Sequence, residues 1–415
     1  MKYLAVLGRQ PEISIAELEA LFTDVQQVSD NLSIISLREA PEICNFSINR
    51  LGGTLKLATK LEIKPLDYLK NLPAGKITLG ISDYTNNASR KSAQNEALKL
   101  KKILVRLGRS VRVVENREPT LSTATSLHNG LSGKNERKIE LIKTEQGWYR
   151  VIGVQDIDAY TRRDQKRPAR DAKVGMLPPK LAQILINLCG PLKPGSTILD
   201  PFCGTGVVLQ EALLMGYRAY GTDISERMVE YTKRNTEWLL SERGDQRGAC
   251  SSEPRNDRAT EREKSKLACF SEPGSLVSQD GREREREESN QFQISKGDAT
   301  SFQWQPPINA VAAEGYLGKP FSKIPTDIEL KEQQQECQAI ILGFLKNLAS
   351  QIKPGTPVVI AIPAWLRPDG TYKRLEILAF LDKLGYNVNN KSREGLIYHR
   401  ESQIVARDII ILRKK

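Results

Sequence analysis

Two carboxylates, Asp200 and Asp223, carry the most chemical information in this chain. Asp200 closes the predicted strand Thr197-Ile-Leu-Asp200 and runs straight into Pro-Phe-Cys-Gly204-Thr-Gly206. Asp223 ends the next predicted strand, Tyr220-Gly-Thr-Asp223, 17 residues after Gly206. A strand closing on an acid, a glycine turn opening a helix and a second acid beyond the following strand form the layout of a nucleoside-binding α/β site. A dinucleotide fingerprint needs a third glycine where the helix packs on the strand, and here that place holds Leu209. Asp200 would repel a pyrophosphate, yet it can accept a hydrogen bond from an ammonium group. Asp223 is placed to accept from both hydroxyls of a ribose. These features favour S-adenosylmethionine over NAD.

Other chemistries find little support. Cys203 lies inside the glycine turn with no histidine near in sequence to activate it, so it reads as a small packing residue. The six cysteines, at 44, 189, 203, 250, 269 and 337, show no Cys-x-x-Cys spacing. The two histidines, His128 and His399, are far apart, so no zinc-ligand pattern exists, and the thiols read as reduced and cytosolic.

A chain of 415 residues has room for two or three domains that each bury a core. Met1 to Leu7 is too short an apolar run for a signal sequence, and no stretch approaches the roughly 18 to 20 apolar residues of a membrane span. The expected protein is soluble and cytoplasmic. Its formal charge of +12 suits a partner rich in phosphates. Residues 241–290 hold 10 basic and 12 acidic residues, so the basic excess lies in the rest of the chain.

The elements that must hold these residues follow from periodicity. Residues 1–65 read as a small ferredoxin-like α+β domain: strand Tyr3 to Leu7, a helix opened by a capping box Ser14-Ile-Ala-Glu17, strand Ser33 to Leu37, and an apolar segment from Ile43 to Leu57 broken at Gly52-Gly53. Residues 66–160 read as a second α+β unit around a helix from Ser89 to Leu107. There Ala93, Ala97, Leu100, Leu104 and Leu107 form a core face, and Lys99, Lys101, Lys102, Arg106 and Arg109 take the others. Residues 161–173 are a basic linker. From 174 to 415 alternating strands and helices predict a doubly wound, Rossmann-like domain, ending in a hairpin of 395–398 with 406–412 that adds an antiparallel strand at the sheet edge. Within it, 241–292 is too polar and charged to bury a core and is expected to be a disordered insertion.

The glycine turn also carries a resemblance. Asp200-Pro-Phe-Cys-Gly-Thr-Gly206 resembles the first cofactor motif of the THUMP-containing RNA methyltransferases, close to the tRNA guanosine-N2 methyltransferases of archaea and eukaryotes and their bacterial relatives. Arg167-Pro-Ala-Arg170-Asp171 and Gly175-Met-Leu-Pro-Pro-Lys180 resemble that family's entry into its catalytic domain. Met1-Lys-Tyr-Leu-Ala-Val-Leu-Gly-Arg9 with Glu17-Leu-Glu-Ala-Leu-Phe22 resembles its N-terminal end. The likeness covers nearly the whole chain apart from 241–292.

The resemblance implies that residues 66–160 are a THUMP domain that docks the tRNA acceptor end. It makes Asp298, in Lys296-Gly-Asp-Ala-Thr300, the acceptor for the adenine amino group, and Met176 to Pro179 a wall of the cofactor pocket. Asp200, Phe202, Gly204, Gly206, Asp223 and Asp298 would then bind S-adenosylmethionine. Relatives position the target base with Asp-Pro-Pro-Tyr. This chain has Ala313-Glu314-Gly315-Tyr316, with alanine where the acid would be, and is nearer to a Thr-Glu-Pro-Tyr-Leu-Gly version found in some bacterial-type members. Glu314 and Tyr316 would therefore be the catalytic pair. The implied activity is S-adenosylmethionine-dependent formation of N2-methylguanosine in tRNA, with no membrane or metal partner and the need for an accessory subunit left open. Its rivals are a tRNA- and cofactor-binding protein that has lost turnover, a DNA amino-methyltransferase and, more weakly, a nucleotide-dependent oxidoreductase.

Overall fold

The computed structural model describes residues 2–36, 47–171, 176–249, 291–401 and 403–415, in two compact units that divide after Tyr160. The first unit is built on one eight-stranded sheet. Its strands are β1 (Lys2–Leu7), β2 (Val25–Ser29), β3 (Leu32–Ser36), β4 (Thr54–Lys60), β5 (Ile77–Asp83), β6 (Val111–Val113), β7 (Lys138–Thr144) and β8 (Gly147–Val154), in the order β2-β3-β1-β4-β8-β7-β5-β6. The boundary expected near residue 65 does not interrupt this sheet, because β4 pairs antiparallel with β8 from Lys56↔Val154 to Lys60↔Tyr149.

Helix α1 (Pro11–Leu21) corrects one expectation. Pro11 opens it, and Gln10, not Ser14, is the N-cap. Ser14 and Glu17 lie inside the helix and grip the Gly52-Gly53 turn instead. The Ser14 hydroxyl donates to Gly53 O (2.8 Å), while the Glu17 carboxylate accepts from the Gly52 and Gly53 N–H groups (2.9 and 2.8 Å). The residues of a local capping box thus form a tertiary clamp.

Helices α2 (Pro65–Lys70), α3 (Arg90–Arg106) and α4 (Thr123–His128) complete the unit. On α3, Ala93, Ala97, Leu100 and Leu104 are buried as expected, but Leu107 lies past the helix end and is 55% exposed. Beneath the sheet, Lys56 on β4 donates to Glu140 on β7 (2.5 Å) and to Leu121 O (2.7 Å). The hydroxyls of Ser82 and Ser126 donate to Glu140 as well (2.7 and 2.6 Å). Both ions are almost fully buried, so removing one alone would cost about 3–5 kcal/mol.

Helix α5 (Ile157–Gln165) carries the chain past residue 160. Part of the expected basic linker is therefore helical, and not all its cations are free for phosphate. Arg163 makes a two-bond pair with Glu211 (2.6 and 3.2 Å), and Arg167 is 3% exposed.

The second unit continues through α6 (Pro179–Leu188), β9 (Thr197–Asp200), α7 (Val207–Leu214), β10 (Arg218–Asp223), α8 (Glu226–Ala249), β11 (Phe292–Lys296), β12 (Ala310–Glu314), α9 (Asp327–Ala349) and β13 (Pro357–Leu366). It ends with β14 (Tyr372–Arg374), α10 (Leu378–Leu381), β15 (Tyr386–Val388), α11 (Asn390–Glu394), β16 (Ile397–Tyr398) and β17 (Val405–Lys414). The sheet order is β11-β10-β9-β12-β13-β17-β15, with β9 to β13 mutually parallel. This is the expected doubly wound, Rossmann-like α/β domain.

Its antiparallel strand is not at the edge. β17 is inserted between β13 and β15 and pairs with β13 from Pro357↔Arg413 to Trp365↔Val405. The expected hairpin survives only as the short pairing of β16 with Asp408 and Arg407. Residues 241–249 of the expected insertion extend α8, whereas 250–290, including the Arg-Glu run at 282–287, lie outside the described residues, as do 43–46 and Gly175. Among the described residues no helix is long and apolar enough to cross a membrane.

Candidate functional site

Chain order reverses between β9 and β12, and at such a switch point the carboxyl ends of the strands leave a crevice. A cavity of about 950 Å³ occupies that place, bordered by Met176, Asp200, Asp223, Asp298, Glu314, Tyr316 and Arg407. Residues remote in sequence reach it because β9, β10 and β12 end side by side and β17 begins there in the opposite direction.

The glycine turn is held before any ligand arrives. Gly206 caps α7 at φ +82°, and a Cβ there would lie 2.8 Å from the Thr232 methyl group. Thr232 donates to Gly204 O (2.7 Å), and Asn235 donates to Thr205 O (2.9 Å). Asp223 Oδ2 accepts from the Gly204 N–H and Oδ1 from the Ser225 N–H, both at 2.9 Å. One carboxylate thereby fixes the turn and starts α8, and each oxygen keeps a second lone pair for a hydroxyl.

Two buried carboxylates set the electrostatics of the cavity. Asp200 is 2% exposed and accepts a backbone bond from Phe202 N–H (3.1 Å). Burial pushes its carboxyl well above the usual range, and the charges of Asp223 and Glu314 push the same way. Asp223 is also raised by burial, against its two backbone bonds. An ammonium beside Asp200 would reverse that penalty, which is how the donor set fits an amino-acid-bearing nucleoside. Ile224, which the sequence reading overlooked, follows Asp223 into the cavity wall and is 68% exposed. A large aliphatic side chain left bare beside a hydroxyl acceptor suits the face of a flat ring.

The remaining cofactor candidates differ in how free they are. Phe202 borders the cavity but stands edge-on to Phe344 at 5.2 Å, so its ring is partly spent on the core. Asp298 sits exposed at the rim, where Oδ1 accepts from the Thr300 N–H (2.9 Å) and hydroxyl (2.7 Å), bonds that hold its carboxyl low. Met176 and Leu177 line the cavity, and the Arg167 guanidinium donates to Met176 Sδ (3.1 Å). Cys203 is buried and its thiol is pushed up by that burial, consistent with packing rather than nucleophilic attack.

At the loop after β12 the register decides the chemistry. Ala313, where the resemblance would place an acid, is fully buried in the same cluster as Ile341 and Phe344. The next residue faces the other way, as strand pleating requires, so Glu314 borders the cavity. Its Oε1 accepts from Arg407 Nε at 2.7 Å. Burial raises the Glu314 carboxyl, while Arg407 and then Arg400 oppose the rise. Tyr316 lines the cavity with its hydroxyl donated to Glu336 on α9 (3.0 Å), and burial with that partner pushes it up to about 12. Sequence reasoning missed Arg407. Its only signal was a charged Arg407-Asp408 pair inside the otherwise apolar 405–412 run.

Introducing a proline at Gly315 is expected to harm this loop. Gly315 N–H donates to Ala361 O (2.9 Å), and a Cβ at Gly315 would come within 2.7 Å of Ile341 Cδ1. Gly315→Pro removes the bond and overfills the contact, so a loss of about 2–4 kcal/mol is expected. Melting of the purified variant checks this. An unchanged or higher Tm would show that the loop is not packed as described.

Residues 166–271 match the model of the UPF0020 family, an RMKL-like methyltransferase domain. The chain is similar to the tRNA (guanine(10)-N2)-dimethyltransferase of Methanothermobacter thermautotrophicus, 57% identical over 61 residues, 15% of this chain and 18% of that protein, so the match spans less than a fifth of that relative. It is 29% identical over 244 residues to the enzyme of the same name from Pyrococcus abyssi, across 57% of this chain and 68% of that one. Among solved structures, TrmN from Thermus thermophilus aligns with all of both chains at 16% identity and a TM-score of 0.46.

Proposed function

We propose that this protein methylates the exocyclic amine of a guanine in tRNA, using S-adenosylmethionine, a reading supported by the match of residues 166–271 to an RMKL-like methyltransferase domain. The observation that carries the proposal is a single cavity bordered both by the Asp200–Asp223 pair with Ile224 and by the Glu314–Tyr316 loop. Relatives bearing a tRNA (guanine(10)-N2)-dimethyltransferase name support the choice of base and RNA.

When bound, S-adenosylmethionine supplies a methyl group on a positively charged sulfur. Asp200 would hold its ammonium, Asp223 its ribose hydroxyls, Ile224 the face of its adenine and Asp298 the adenine amino group. The guanine amine is a weak nucleophile because its lone pair is delocalised into the ring. Glu314 accepts one of its N–H groups, which localises that lone pair and holds the proton the amine must shed. Tyr316 offers its ring as a stacking surface for the base, with the hydroxyl tethered to Glu336 so that the ring keeps its place.

The first unit is assigned to RNA docking, with residues 66–160 as the THUMP domain. Exposed Lys91, Lys99, Lys102 and Arg106 on α3, together with the net charge of +12, support phosphate contact there. A tRNA substrate is consistent with a cytoplasmic protein.

Unmodified tRNA transcripts incubated with the full chain and methyl-labelled S-adenosylmethionine are expected to yield N2-methylguanosine on nucleoside mass spectrometry. Label in N6-methyladenosine or a methylcytosine would replace guanine as the target. No label at all would favour a binding protein without turnover. Binding to the same transcripts should weaken at least about 10-fold between about 50 and 200 mM salt.

A further inference from the structure

We propose that Arg407 is a positioning residue of this site, clamping Glu314 by one oxygen so that the other is left to accept from the target amine. The inference rests on the methyltransferase reading above and adds to it the residue on which the unusual Glu314 depends.

Arg407 is an odd ion partner for a surface bridge. Only 4% of its side chain is exposed, yet it borders the cavity together with Glu314. Its backbone is locked by pairing with Pro363 on β13 and Tyr398 on β16. Its guanidinium is held at two further points, Nε to Glu314 Oε1 (2.7 Å) and Nη1 to Gln403 Oε1 (3.1 Å). Among the described residues Glu314 Oε2 makes no hydrogen bond, so the pair leaves one acceptor atom uncommitted on a carboxylate whose other oxygen is held in place.

The charges around Glu314 set what that oxygen is. Arg407 on β17 and Arg400 in the turn before it favour the Glu314 anion, and that charge is felt in turn by Asp200 on β9, whose carboxyl it helps to raise. From α9, the titratable groups at this loop, Glu336 and Cys337, act on Tyr316. Burial favours the neutral acid. Remove the guanidinium, and burial is left to favour the neutral acid with only Arg400 against it. A protonated carboxyl can still be bonded, but it cannot take the proton that leaves the nitrogen as the N–C bond forms and the C–S bond breaks.

The test uses the full chain, unmodified tRNA transcripts and S-adenosylmethionine. Arg407→Gln is expected to lower kcat about 10²-fold at pH 7 with cofactor affinity unchanged, and to recover activity as pH rises toward about 9, because the ionised acceptor returns. Arg407→Lys, which keeps the charge, should regain about 10-fold of that loss. A uniform fall at every pH accompanied by lost cofactor affinity would reduce Arg407 to a structural role and overturn the proposal, as would a wild-type rate in Arg407→Gln. An infrared readout needs no turnover. The carboxylic-acid stretch at pH 7 should appear in Arg407→Gln and vanish in the double variant with Glu314→Gln. Its absence overturns the proposal even if wild type methylates tRNA. If wild type transfers no methyl group, the methyltransferase reading fails, and the infrared difference still decides what Arg407 does to Glu314.

Discussion

Asp223→Ala should weaken S-adenosylmethionine binding by at least about 10²-fold, because two kinds of interaction end together. The ribose loses a charged acceptor, and hydrogen bonds to charged groups contribute about 1.5–3 kcal/mol each. In addition, the Gly204 and Ser225 N–H groups lose the carboxylate that fixes the glycine turn and the start of α8. Calorimetric titration gives the Kd directly. Thermal stabilisation by the cofactor, absent with NAD, should shrink in parallel. Asp223→Asn is the informative companion, since an amide can satisfy only one of the two backbone donors and must turn its NH2 toward the other. A wild-type Kd in Asp223→Ala would remove Asp223 from the cofactor site.

Glu314→Gln should lower methyl transfer about 10²-fold or more while cofactor affinity holds, the scale seen when one electrostatic partner of a transition state is removed. The structure adds a complication that the sequence did not contain. A glutamine side chain at this position would leave the Arg407 guanidinium without its carboxylate at a site where it is 4% exposed, so part of any loss could come from strain on β17. The melting temperature must therefore be measured beside the rate. Tyr316→Ala should also cost about 1–3 kcal/mol by removing the stacking surface. Tyr316→Phe should cost less, since it gives up only the hydroxyl tether to Glu336. Robust activity in both Glu314→Gln and Tyr316→Ala would leave the base-positioning residues unknown.

The acid-and-glycine wall of the cavity was legible because its requirements are local. Gly204 and Gly206 are dictated by a turn with positive φ, and Asp200 and Asp223 by strand ends, all within one β-turn-α-β unit. The wall formed by the loop after β12 was legible only in part. Glu314 and Tyr316 are consecutive with their strand, whereas Arg407 arrives on an antiparallel strand 93 residues away whose partner could not be deduced from hydrophobic pattern. That pattern says a strand is buried on both faces. It does not say between which neighbours, which is why β17 was expected at the edge and is found inside. Likewise Ser14 and Glu17 satisfy a local capping rule in sequence, and the Gly52-Gly53 backbone outcompetes it in space.

The sheet of the first unit also sets a schedule. Lys56 finds its carboxylate 84 residues further along the chain, and β4 finds its second neighbour later still, in β8. At a synthesis rate of roughly 5–20 residues per second, that is a wait of about 4–17 seconds during which β4 has left the ribosome with one edge unpaired and the Lys56 side chain unburied. Such non-local pairing makes for slow folding. In a crowded polysome the edge of β4 is open to the same strand of the neighbouring nascent chain, and the Lys56 ammonium makes premature burial of that strand costly.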